Sequence, residues 1–244
     1  MQAMIFAAGL GTRLKPLTDH VPKALVPLNG KPLLQWNIEK LKAAGFTRIV
    51  VNVHHFPTLI RDFLTSNNNF GIDILLSDEQ DELLDTGGGL FKASAYFSVG
   101  QPILAHNVDV ISNLDLRELM RYHQDHGALA TLAVRQRSTQ RYLLFDDSMR
   151  LKGWTNTITN ETLNVGGQAE EAYIPFAFNG IQVISAEIFS KETRQGKFSI
   201  IDTYLKLAQG NPIFGYLDNS SLWMDLGRKE QLSEAEFKLK TFYF

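Results

Sequence analysis

The chain has 244 residues and a mass of 27.5 kDa, enough for one large α/β domain at roughly 150 residues per domain. Apolar residues make up 44% and charged residues 20%, a balance that supports a core and excludes a disordered chain. With 24 basic against 26 acidic residues and no cysteine, no global field attracts nucleic acid or anionic lipid, and disulfides, thiolate catalysis and cysteine-bound metals are excluded. The apolar runs then predict the elements in chain order. Ala3–Ala8 ends at Gly9 and suits a strand buried on both faces. Pro32 opens a helical stretch with Leu34, Ile38 and Leu41 on one face, closed by Gly45. Arg48–Val53 is β-branched and predicts a second strand, Thr58–Leu64 a short helix and Ile72–Ser77 a third strand. Gly87–Ala95 reads as a glycine turn feeding a helix, Pro102–His106 as a fourth strand, Leu116–Gly127 as a helix and Ala130–Val134 as a strand. Such alternation implies right-handed crossovers and a mostly parallel sheet with helices on both faces.

The second half changes character. Residues Arg135 to Glu171 are polar, with hairpin-like runs at Tyr142–Phe145 and Leu151–Thr155 but no clear period. They read as an irregular insertion, 135–171. A strand at Ala177–Ile184, a helix at Ile200–Gln209, a strand at Ile213–Leu217 and a charged helix at Arg228–Lys240 follow. No repeat or linker divides the chain, so a single domain over 1–244 is expected. No run reaches the roughly 18 apolar residues of a membrane span, and Met1–Leu10 lacks the basic flank of a signal peptide. The expectation is a cytoplasmic protein, monomer or homodimer, with neither membrane nor nucleic acid as partner. His54, His55, His123 and His126 lack further ligands nearby and read as surface or packing residues.

The first strand runs into a loop rich in glycine and cations. Gly9 and Gly11 permit positive φ and let backbone N–H groups approach an anion. Thr12 adds a hydroxyl, and Arg13, Lys15 and Lys23 stand against one acid, Asp19. The loop therefore suits a polyphosphate at the carboxyl end of a strand; a tight turn leading to a solvated basic loop fits the glycines too. Two other phosphate motifs fail. A dinucleotide fingerprint needs glycine where Leu14 stands and an acid where Asn52 stands, and no Walker A loop occurs.

Gly9, Gly11, Thr12, Arg13, Leu14, Pro16, Leu17, Thr18, Pro22, Lys23, Leu25 and Pro27 together resemble the signature of the sugar-1-phosphate nucleotidyltransferases. Ala24 stands where that family more often has proline. Asp85-Thr86-Gly87-Gly88-Gly89 resembles the family's nucleobase-facing element, and Trp223-Met224-Asp225-Leu226-Gly227 its Trp-x-Asp-x-Gly. Val108-Asp109 departs from the usual Gly-Asp.

The resemblance implies a Rossmann-like three-layer fold with a mostly parallel mixed sheet, and transfer of a nucleotidyl group from an NTP to a sugar 1-phosphate with release of pyrophosphate. It gives Ala8, Gly9, Gly11, Thr12 and Arg13 to the triphosphate, and Lys23 to the α-phosphate. Thr86, Gly87 and Gly88 fall against the base and ribose. Asp109 and Asp225 become ligands of Mg²⁺, with Arg13, Lys23 and Asp109 carrying catalysis. Asn52, Asn107, Asn179 and Gly180 fall on the sugar side. The nucleotide-binding half would span 1–134 and the sugar-binding half 135–244. Within the family, the short chain, the Thr-Gly-Gly-Gly form and Asn52-Val53-His54 look most like uridylyltransferases of N-acetylmuramate 1-phosphate. Guanylyltransferases of mannose or heptose 1-phosphate share nearly every motif. A non-catalytic nucleotide-sugar-sensing subunit is the reading from another class; survival of Arg13, Lys23, Asp109 and Asp225 favours the enzyme.

Overall fold

A computed structural model describes residues 1–79, 81–166, 173–220 and 222–239. The buried opening strand is β1 (Gln2–Phe6). A short ribbon, β2 (Pro27–Leu28) and β3 (Lys31–Pro32), leads into α1 (Leu33–Ala43). Gly45 at φ +90° ends that helix, a conformation that strains any residue with a Cβ. Next come β4 (Arg48–Val53), α2 (Pro57–Ser66), β5 (Asp73–Asp78) and α3 (Asp85–Lys92). β6 (Ile103–Asn107), β7 (Val110–Ser112), α4 (Leu116–Asp125) and β8 (Ala130–Arg135) complete the first half. Asp115 caps α4 by accepting from the Arg117 and Glu118 amides.

Two expectations need correction. The glycines at 87–89 lie inside α3, not in a turn before it. The polar segment after Arg135 is not irregular: β9 (Arg141–Phe145), β10 (Leu151–Asn156) and β11 (Glu161–Asn164) form an antiparallel meander. These strands are half-buried, with polar outward faces that dilute any apolar period. Residues 167–171 of that segment, and Lys240 of the expected terminal helix, lie outside the described residues. The chain continues with β12 (Ile174–Ile184), α5 (Ile188–Lys191), α6 (Ile200–Leu207), β13 (Ile213–Leu217), β14 (Trp223–Asp225) and α7 (Lys229–Leu239).

The strands β1, β4, β5 and β6 pair in parallel, in the order β6-β1-β4-β5. The long β12 joins this half to the rest. Its Ile181–Ile184 pairs antiparallel with β6, its Ile174–Phe176 with β9, and its outer length with β8. The result is one mixed sheet. Side chains alternate across it: Ala3 and Ile5 enter one core with α1 and Leu119, whereas Met4 and Val50 enter the other with Leu90 and Tyr204. His123 is buried in α4 between the hydroxyls of Thr131 and Ser185, at 3.0 and 3.1 Å. Its role is packing.

Candidate active site

The carboxyl ends of β1, β4 and β6 open into a cleft of about 380 Å³, where an open α/β sheet leaves backbone groups facing a ligand. Ala8, Gly9, Lys23, Asn52, Thr86, Asn107 and Asp109 bound it, all singled out from the sequence. Glu79 and Lys197 bound it too. Neither stands in a recognisable motif, so only the fold reveals them.

Lys23 and Asp109 form an ion pair through Nζ and Oδ2. Lys23 is only 8% exposed, so this pair sits in a medium where charge interactions are poorly screened. Asp109 follows Val108, which is buried; the Val108 carbonyl accepts from the Asn37 amide at 2.9 Å and its N–H donates to Phe6. The residue in place of the usual glycine is thus locked by α1 and β1.

Asp225 stands 116 positions after Asp109, yet a two-stranded sheet brings their backbones together. β14 pairs antiparallel with β7, placing Asp225 opposite Val110, and Leu226 N–H donates to the Asp109 carbonyl at 2.8 Å. The Asp225 carboxylate accepts from the Gly227 amide at 2.9 Å. Arg13 reaches this turn: a Cβ at Gly227 would fall 2.7 Å from its guanidinium. The first and last sequence motifs are therefore in contact. Gly11, at φ +63°, closes the loop that carries Arg13, held by the Thr18 hydroxyl on its carbonyl at 2.8 Å. Gly11, Thr12, Arg13 and Asp225 stand outside the residues bounding the cleft.

Asn52 ties the cleft floor together. Its Oδ1 accepts from Ala7 N–H and its Nδ2 donates to Glu79, each at 2.7 Å. Burial pushes the Glu79 carboxyl above its ordinary range, with the Asn52 amide and Leu84 N–H pulling it back.

The glycines of α3 hold something other than a ligand. A Cβ at Gly88 would lie 2.1 Å from the Gly196 carbonyl oxygen, and one at Gly87 would lie 2.3 Å from the Phe198 ring. The Phe198 carbonyl accepts from both Gly87 and Gly88 N–H groups, at 2.9 and 3.2 Å. Their bare faces are filled by the segment between α5 and α6. Neither glycine bounds the cleft, so the expected open platform for a flat ring is corrected at these two positions. The Thr86 hydroxyl accepts from Ile200 N–H at 3.1 Å. The α5–α6 segment is itself clamped. The fully buried Glu192 carboxylate pairs with Arg194 and Lys206, and these contacts hold its carboxyl down at about 2. Arg194 stacks over Phe198 at 4.6 Å.

Asn179 and Gly180 lie where the β12–β8 register shifts, a bulge that re-aims side chains. They do not bound the cleft, but a Cβ at Gly180 would fall 2.9 Å from the Asn107 amide. The bulge therefore abuts the cleft wall. Asn179 donates to the buried Asp218 carboxylate, and its backbone carbonyl accepts from the Trp223 indole at 3.0 Å.

The sequence model of the family described as Nucleotidyl transferase matches residues 2–143. The chain belongs to this family. A relative from Neisseria meningitidis serogroup B, an N-acetylmuramate alpha-1-phosphate uridylyltransferase, is 32% identical over 97% of either chain. Mannose-1-phosphate guanylyltransferase 1 of Arabidopsis thaliana is 37% identical over 55% of this chain and 38% of its own length. The solved UDP-glucose pyrophosphorylase of Acinetobacter baumanii superposes with a TM-score of 0.77 at 17% identity, covering 97% of this chain and 92% of that one. The nucleotidyltransferase fold thus extends through both halves of the chain, and its relatives are sugar-1-phosphate nucleotidyltransferases.

Proposed function

We propose that this nucleotidyltransferase is an N-acetylmuramate 1-phosphate uridylyltransferase, forming the UDP-sugar and pyrophosphate from UTP. The likeness to the Neisseria enzyme carries this reading, because it covers 97% of the chain, whereas the guanylyltransferase likeness covers 55%. The reading treats the chain as one domain, 1–134 meeting the nucleotide and 135–244 the sugar.

The sugar phosphate oxygen attacks the α-phosphorus in line, so the protein supplies placement and charge and needs no nucleophile. Arg13 holds the β- and γ-phosphates through its planar fork. Lys23 offsets the charge that grows at the α-phosphate. Before substrate enters, Asp109 holds the Lys23 ammonium in place; a phosphate oxygen arriving there competes for the same cation. Asp109 and Asp225 would be the residues to hold Mg²⁺: both are hard oxygen donors carried on adjoining backbone at one end of the β7–β14 pair, and the ammonium on Asp109 marks a carboxylate that attracts a cation. Among the described residues no group of three or more acidic or histidine side chains gathers, and a bound Mg²⁺ would take further oxygen ligands from the nucleotide and water. When bound, the ion neutralises phosphate charge.

A panel of four NTPs against several sugar 1-phosphates, read by pyrophosphate release, tests the reading. Turnover of UTP with N-acetylmuramate 1-phosphate above all other pairs is expected. GTP with mannose or heptose 1-phosphate as the best pair overturns it, and nucleotide binding without any turnover would make the chain a sensor.

A further inference from the structure

Beside the β12 bulge that abuts the cleft wall stands a cation that none of the family motifs includes. Arg137, just past β8, lies over the Trp223 ring at 4.5 Å and donates to the Phe178 carbonyl at 3.1 Å. Burial pulls its pKa below the ordinary arginine value and Arg135 adds to this, while the Asp225 charge opposes it. Among the described residues it forms no ion pair. Arg135, in contrast, is spent on Asp218 at 3.9 Å and on the Ser220 carbonyl at 3.1 Å.

Two buried polar atoms here have no hydrogen-bond partner among the described residues: Arg137 Nε and Asn179 Oδ1. The first is a donor on a fixed cation, the second an acceptor on a fixed amide. They belong to one cluster, since Arg137 bonds Phe178, the residue before Asn179, and Trp223 bridges both. Leaving either atom unsatisfied lowers stability, and such atoms are expected where a ligand completes them. A planar guanidinium edge matches a carboxylate, an amide oxygen matches a hydroxyl, and the Trp223 face suits an apolar group beside the anion.

We infer that Arg137 is a specificity-determining residue that receives the carboxylate on the lactyl arm of the sugar, with Asn179 accepting from a neighbouring hydroxyl. This rests on the proposed substrate, because N-acetylmuramate carries such an arm while mannose, heptose and N-acetylglucosamine do not. The alternative recipient of the same cation is the phosphate that every sugar 1-phosphate shares.

The test compares kcat/KM for N-acetylmuramate 1-phosphate and N-acetylglucosamine 1-phosphate, with UTP, in the wild type, Arg137→Gln and Arg137→Lys. Where the second sugar is not turned over, its inhibition constant takes the place of kcat/KM. The preference for the carboxylate-bearing sugar is expected to fall about 10- to 100-fold in Arg137→Gln, the size of a lost charged hydrogen bond. Arg137→Lys should restore part of it, because the charge remains and the fork does not. Equal losses on both sugars overturn the inference in favour of the phosphate. A wild type that ignores the lactyl arm, or prefers the sugar without it, overturns the substrate reading itself, a distinct result. Thermal unfolding is measured in parallel. If Arg137→Gln does not fold, Arg137→Lys decides: a reduced preference supports the assignment, and a preference equal to wild type overturns it.

Discussion

Replacing Gly88 with alanine separates a ligand platform from a packing contact. Alanine in a helix interior normally gains about 1 kcal/mol over glycine, so a glycine kept for a flat ring should give a variant at least as stable as the wild type. Here the new Cβ falls 2.1 Å from the Gly196 carbonyl oxygen and 2.9 Å from Leu84 Cβ. Backbone cannot swing aside as a side chain does, so the 196–198 segment must move. Moving it breaks the Gly87 and Gly88 bonds to the Phe198 carbonyl and the Phe198 bond to the Leu84 carbonyl. Three such bonds contribute about 3 kcal/mol and overpacking costs about 2 kcal/mol. Against the helical gain the net loss is about 4 kcal/mol, or about 10 °C in melting temperature for a chain of this size. Differential scanning of the nucleotide-free variant gives the answer directly. A melting temperature unchanged or raised, with nucleotide affinity lost, would refute the packing account and restore the open platform.

Asp109→Asn and Asp225→Asn should each abolish Mg²⁺-dependent turnover while leaving the circular dichroism spectrum unchanged; wild-type activity in either removes that residue from the metal site. Lys23→Ala should lower kcat on the order of 100-fold or more, and Arg13→Ala should chiefly raise KM for the NTP, with direct nucleotide binding measured alongside; a Lys23→Ala variant turning over at the wild-type rate would refute the charge-offset role. Burial lowers His106 to about 3, with the Lys40 charge adding to the effect, and lowers His123 to about 4. Between roughly pH 6.5 and 4 the unfolded chain therefore binds protons that the folded chain refuses, and stability should fall with acid by up to about 2.7 kcal/mol per pH unit. Glu79, raised by burial, opposes this just above the ordinary carboxylate range. Urea midpoints at pH 7 and 5 that coincide would show that these imidazoles are not held neutral.

The parallel half of the fold was legible because strands buried on both faces leave continuous apolar runs, and β4 has the very bounds its β-branched run predicts. Of the meander, β9 and β10 showed as the hairpin-like runs 142–145 and 151–155, whereas β11 did not, since its exposed polar residues leave no apolar period. The motif at 85–89 was visible, but its packing was not: nothing in the residues 85–89 says that Phe198 and Gly196, more than a hundred positions later, pack on Gly87 and Gly88 respectively. Glu79, Lys197 and Arg137 escaped for the same reason. Each is an ordinary charged residue until the sheet order sets it beside a cleft or a bulge.

The pairing of β14 with β7 has a consequence for how this protein is made. The parallel strands and both members of the Lys23–Asp109 pair precede Trp223–Asp225 in the chain, but the core around Ala3 and Ile5 also takes in Leu222, Met224, Leu226 and Leu232 from its far end. Until Trp223–Asp225 seats against Val110–Ser112, a partial chain lacks the Leu226 bond to the Asp109 carbonyl and the turn that meets Arg13. A premature stop anywhere before residue 223 therefore removes Asp225 together with the apolar side chains that close the core over the first strand.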